Sequence, residues 1–220
     1  MTRLPWGPAM GGMRAGLARL LAAVLLLLAV PAGAGAQGYG PFGVPHASYT
    51  ADATLQLGRR SYDMRVIGSG ALERREMVNQ GIRRIVLIDQ RARRATLLMP
   101  DQRVAMDADI SLVPGVGELL ELRWKAQPLA VESVAGVRAR KHRVDGTNGR
   151  GDRITGMAWV TGDNIMVRAD LEVRRQGKVT RVKQELRNLR VGAVDRALLT
   201  VPAGFRRMPL PMNLFNRQRG

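Results

Sequence analysis

The chain of 220 residues carries 35 Lys+Arg against 18 Asp+Glu, a formal net charge of +17, with no cysteine, two histidines and 4% aromatics. No disulfide framework or cysteine-ligated metal site is open to it, two histidines leave little for a His-rich metal centre, and 45% hydrophobic residues is too many for a disordered chain. The length predicts one domain, and the charge first suggests a polyanionic partner: nucleic acid, anionic lipid or an acidic polymer.

The opening segment reads as an export signal. Met1–Arg19 holds Arg3, Arg14 and Arg19 and no acid, Leu20–Val30 is an eleven-residue apolar run, and Pro31 ends it before the small residues Ala32 to Ala36. That order of charged, apolar and small segments is a secretory signal peptide over residues 1–36, starting at Met1 or Met13 and cut before Gln37 or, as a second choice, after Ala34. Eleven residues fall short of a bilayer span, and no cysteine follows to take a lipid anchor. The expected destination is the periplasm, with secretion as the second choice. The segment contains three arginines and no acid, so the positive charge belongs mainly to the exported part. Export argues against nucleic acid as the partner.

A Gly/Pro-rich lead over residues 37–48 precedes a run of period-two patterns. Tyr49–Leu57, the alternation of Tyr62, Met64 and Val66, Ala71–Val78, Ile82–Asp89, Ala95–Met99 and Arg103–Asp107 read as strands, separated by Gly58, Gly68-Ser69-Gly70, Asn79-Gln80-Gly81 and Pro100-Asp101. Gly115–Lys125, with Leu119, Leu120, Leu122 and Trp124, is the one stretch that reads as a turn or two of helix. Strands resume at Pro128–Val134, Val137–Asp145 and Arg153–Thr161. Ile165, Val167, Ala169, Leu171 and Val173 then share one face of a strand that turns at Gln176-Gly177 into Val179–Leu189. The prediction is a mainly β domain over residues 49–208 with a tail at 209–220. It is one curved antiparallel sheet or incomplete barrel of roughly ten strands, with one or two short helices.

Catalytic patterns are missing. Gly68-Ser69-Gly70 sits in a turn, His46 and His142 have no triad around them, and Asp101, Asp107 and Asp109 read as turn and edge acids. No catalytic residue, metal or cofactor is expected. The arginine runs are the remaining signal: Arg74, Arg75, Arg83, Arg84, Arg138, Arg140 and Arg143 are candidate contacts to an anionic surface.

Three stretches resemble a known family. Leu97-Leu98-Met99-Pro100-Asp101-Gln102-Arg103-Val104-Ala105-Met106 is the first. Gly156-Met157-Ala158-Trp159-Val160-Thr161 followed by Ile165-Met166-Val167-Arg168 is the second. Leu186-Arg187-Asn188-Leu189 through Leu199-Thr200-Val201-Pro202-Ala203-Gly204-Phe205 is the third. Together they are similar to an uncharacterised bacterial periplasmic family related to the LolA/LolB-like lipoprotein carriers. The resemblance implies an incomplete β-barrel over helices, a concave apolar interior for acyl chains, and no enzymatic activity. On that reading Met64, Met99, Met106, Leu119, Leu120, Leu122, Trp124, Trp159 and Leu171 are the cavity candidates, and a lipid or lipoprotein acyl chain is the ligand. The alternative function is an envelope protein that docks on anionic lipid or lipopolysaccharide through its arginines.

Overall fold

Period-two patterning with turn residues at each break has the expected outcome. The computed structural model describes residues 41–79, 81–109, 123–149 and 151–209. The signal segment 1–36, the leucines Leu119, Leu120 and Leu122, and the tail beyond Pro209 lie outside the described residues. Six strands form a first meander: β1 (Tyr49–Leu57), β2 (Arg60–Ser69), β3 (Leu72–Asn79), β4 (Ile82–Asp89), β5 (Arg94–Met99) and β6 (Val104–Asp109). A second meander holds β7 (Arg123–Val134), β8 (Val137–Thr147), β9 (Arg153–Val160), β10 (Met166–Arg175) and β11 (Lys178–Val191), and β12 (Arg206–Pro209) follows. The only helical pieces among the described residues are short 3-10 turns at Pro100–Gln102 and Arg196–Leu199.

All twelve strands form one sheet in the order β12-β6-β5-β4-β3-β2-β1-β11-β10-β9-β8-β7. The two meanders are joined along β1 and β11, which pair antiparallel from Tyr49↔Val191 to Leu57↔Val182. Every other pairing is antiparallel too, except that β12 runs parallel to β6. A twisted sheet of this width curls, and here the curling buries one face. That inner face carries Ala51, Ala53 and Leu55 of β1, Met64 and Val66 of β2, Val86 and Ile88 of β4, and Val167, Ala169, Leu171 and Val173 of β10. The strand boundaries follow local chemistry. At Gln176-Gly177 both residues take positive φ, 47° and 76°, the geometry of the two-residue turn whose twist matches a hairpin.

Two expectations need correction. Residues 123–125, assigned from sequence to the end of a helix, begin β7; Trp124 pairs with Gly146 and Lys125 with Asp145. Their apolar spacing is that of a strand edge, set by cross-strand pairing that a local pattern does not reveal. The sequence also missed β12 and the segment before it. Residues 196–205 cover the outer face of β4, β5 and β6, where Ile85, Leu87, Leu98 and Ala105 pack with Val201 and Phe205. Strand β4 is therefore buried on both faces, which explains its unbroken apolar run Ile85–Ile88.

Candidate functional site

The inner face is largely apolar, interrupted by Arg84 on β4 and by a polar cluster centred on β3. Strand β3 reads Glu73-Arg74-Arg75-Glu76, and alternation sends Glu73 and Arg75 inward and Arg74 and Glu76 outward. Inside, Glu73 Oε1 accepts a hydrogen bond from Arg75 Nε. Its Oε2 accepts from Tyr49 Oη at 3.1 Å. The Tyr49 ring lies over Gly68, where a Cβ would stand 2.2 Å from ring atom Cε1, so only glycine fits beneath it. Ala53, Leu55, Met64, Val66, Gln184 and Leu186 close around this pair and leave a gap of about 10 Å³, room for one water at most. Gln184 Oε1 has no hydrogen-bond partner there.

Burial, and then the neighbouring Glu73 carboxylate, push the Tyr49 hydroxyl well above the usual tyrosine range. The folded chain thus holds a proton that the unfolded chain releases. The stabilisation is complete below the ordinary tyrosine pKa and is lost as pH rises past it. Urea midpoints measured between about pH 9 and pH 11 are expected to fall more steeply for the wild type than for Tyr49→Phe. Equal slopes would show that Tyr49 is not held in this way.

A methionine row crosses the inner face beside this pair. The register pairs Ala53 with Met64 and Met77 with Arg84. It also pairs Arg65 with Glu76 and Ile85 with Leu98, which places Met64 beside Met77 and Met99 beside Arg84. Met64, Met77 and Met106 are buried, and Met99 is partly buried against them. Leu171 sits on the same face, opposite Gly156. At the β7 edge, half-buried Trp124 packs its ring on Gly146, where a Cβ would be 2.7 Å from Cε3.

Trp159 belongs to the same buried cluster but approaches it differently. It pairs with Arg168 and Lys141, which places it on the face opposite Ala158 and Leu171. Its Nε1 donates to Glu132 Oε2 at 2.7 Å, and Lys141 Nζ and the Arg168 guanidinium stand 5.0 and 4.8 Å from the ring centroid. Hydrogen bonds from Trp159 and then Lys141 hold the Glu132 carboxyl below its usual range. The ring thus makes cation-π contacts with both neighbouring strands.

The arginines separate in the same manner. Arg74, Arg75 and Arg84 are 5%, 5% and 6% exposed, so they are not available to an anionic surface. Arg74 Nε donates to Glu76 Oε1 at 2.6 Å, and its Nη1 donates to the Leu198 carbonyl at 2.9 Å, tying the covering segment to the sheet. Arg83 points outward and bonds Glu76 Oε2 at 3.0 Å. Arg138, Arg140 and Arg143 are exposed, but Arg143 alternates to the face opposite the other two. Local runs of arginine therefore do not become one basic patch. A groove of about 660 Å³ over β1–β4 and β11, which Met64 and Met77 also line, carries Asp52, Asp63 and Glu76 with Arg65, Arg83 and Arg187, a balanced set with no net pull on anions.

No organised nucleophile emerges from these contacts. His142 Nδ1 lies 3.0 Å from the Arg140 carbonyl and its ring is 4.8 Å from that of Phe42. Burial pushes its imidazole below the usual histidine range. Asp107 bonds Thr96 at 2.6 Å and pairs with Arg207. Sequence reasoning missed Tyr49, Glu73 and Gln184. The signal was present in Glu73-Arg74-Arg75-Glu76, whose acids and bases sit two apart and so meet on each face of a strand.

No protein-family model matches the chain, and no curated protein matches it. Among solved structures it is similar to an uncharacterised conserved protein from Thermus thermophilus, at 12% identity and a TM-score of 0.48, covering 75% of this chain and 91% of that one. It is similar to MucB at 12% identity and a TM-score of 0.47, covering 88% of this chain and 64% of that one. A LolA superfamily protein from Nitrosomonas europaea aligns at 10% identity and a TM-score of 0.41, covering 72% of this chain and 92% of that one.

Proposed function

We propose that this chain is a periplasmic, non-enzymatic protein that binds the acyl chain of a lipid or lipoprotein against the inner face of its sheet. The observation that carries this reading is the inner row of Met64, Met77 and Met99, with Met106 packed into the same cluster. Unbranched thioethers have three rotatable bonds and re-pack around a guest at little cost. The interior gap beside Met64 is about 10 Å³, so a ligand that lies along this face enters by displacing side chains. Each methylene it buries contributes about 0.8 kcal/mol.

The test is to express the full chain with export, purify the processed protein, and extract it for mass spectrometry. Co-purifying lipid, and displacement of a fluorescent fatty-acid probe by oleate, are the expected results. Lipid-free protein that also takes up no probe would end this reading. Docking on an anionic membrane is less well supported, because three of its seven candidate arginines are buried and Arg143 faces away from Arg138 and Arg140.

A further inference from the structure

Arg84 is 6% exposed and sits on the inner face with Val86 and Ile88. Its Nε has no hydrogen-bond partner. The other two buried arginines among the described residues each have a carboxylate, Glu76 for Arg74 and Glu73 for Arg75. Across the strands, Arg84 is flanked by Met77 on β3 and, by register, Met99 on β5. Thioethers cannot compensate a charge, but they can move aside for a group that does. Burial lowers the pKa of the guanidinium, yet an arginine of this kind stays protonated at any physiological pH. Among the described residues no carboxylate pairs with Arg84, and a buried guanidinium N–H without an acceptor is costly and persists in folded proteins where something else answers it.

We propose that Arg84 anchors the anionic head of the bound amphiphile, a carboxylate or a phosphate at one end of an acyl chain that lies along the methionine row. This rests on the reading that the inner face takes an acyl chain, and it adds which class of amphiphile is chosen. A guanidinium presents parallel N–H donors to two anionic oxygens, a geometry that neither an alcohol nor an ester reproduces. The neighbouring Arg83 takes no part, because it faces outward to Glu76.

The experiment measures binding of oleate, oleoyl-lysophosphatidate and oleyl alcohol to the delipidated, exported protein and to Arg84→Met and Arg84→Lys. Wild type is expected to prefer the anions over the alcohol by about ten-fold. Arg84→Met is expected to lose that preference while binding the alcohol as before, and Arg84→Lys to keep part of it. Met is apolar and of comparable length, so this variant is expected to melt no lower than wild type, which separates lost binding from lost folding. The tighter of the two anions identifies the head as carboxylate or phosphate. If Arg84→Met binds both anions as wild type does, the anchor is refuted and acyl binding stands. If wild type binds none of the three, acyl binding itself fails and the anchor with it.

Discussion

Gly156→Ala is expected to destabilise the protein by about 4 kcal/mol, enough to leave much of it unfolded at working temperature. Two effects act together at this position. Its φ of 151° lies where side chains are rarely tolerated. An added Cβ would stand 2.2 Å from the Asp170 carbonyl oxygen and 2.9 Å from Leu171 Cα, both on the neighbouring β10 backbone. A clash with a flexible side chain is relieved by a rotation; a clash with paired backbone requires β9 and β10 to part. Gly162→Ala is the matched control, since nothing lies within 4 Å of the point where its Cβ would stand. Urea unfolding of both variants checks the prediction. A Gly156→Ala midpoint equal to that of Gly162→Ala would remove the close approach of β9 and β10 from the account.

Glu73→Ala is expected to cost about 3–5 kcal/mol, the usual effect of removing one member of a buried ion pair. The side chains of Arg75 and Glu73 are 6% and 11% exposed, so water cannot replace the missing carboxylate. Tyr49 Oη loses its acceptor in the same change. Replacing both partners, Glu73→Leu with Arg75→Met, is expected to recover most of the loss, because the desolvated charges disappear together. Asp107→Asn, at a pair whose side chains are 62% and 45% exposed, is expected to change stability little. A double variant as unstable as Glu73→Ala would show that the pair contributes more than compensation of its own charges.

These two changes act on the same feature from different sides. The inner face is continuous because the two meanders meet along β1 and β11, and Tyr49, Glu73 and Arg75 link β1 to β3 within it. The proposed acyl binding and anion anchor would both require that face to stay intact while its methionines move. Glu73→Ala protein that remains folded is therefore a useful background for the lipid measurements, since loss of the rigid pair should leave the methionine row in place.

Much of the fold was legible in the sequence. The bounds of β1 follow from alternation ended by Gly58, those of β4 from the apolar run that opens after the turn Asn79-Gln80-Gly81, and the β10–β11 hairpin from Gln176-Gly177. Alternation also decided which residues share a face: Val167, Ala169, Leu171 and Val173 are all buried, as their spacing predicts. These features are local, written by steric preference and the two-residue repeat of a strand. The sequence did not reveal that β1 pairs with β11 or that β12 lies parallel to β6, because strands far apart in the chain share no local signal. Nor did it reveal which face would close. Arg74, Arg75 and Arg84 read as surface charge, and only the curling of the sheet and the cover of residues 196–205 buried them. Composition and periodicity thus determined a basic β protein with known faces. The tertiary structure decided which charges lost water, which found a carboxylate, and that Arg84 did not, because desolvation depends on what packs above a residue and not on its neighbours in the chain.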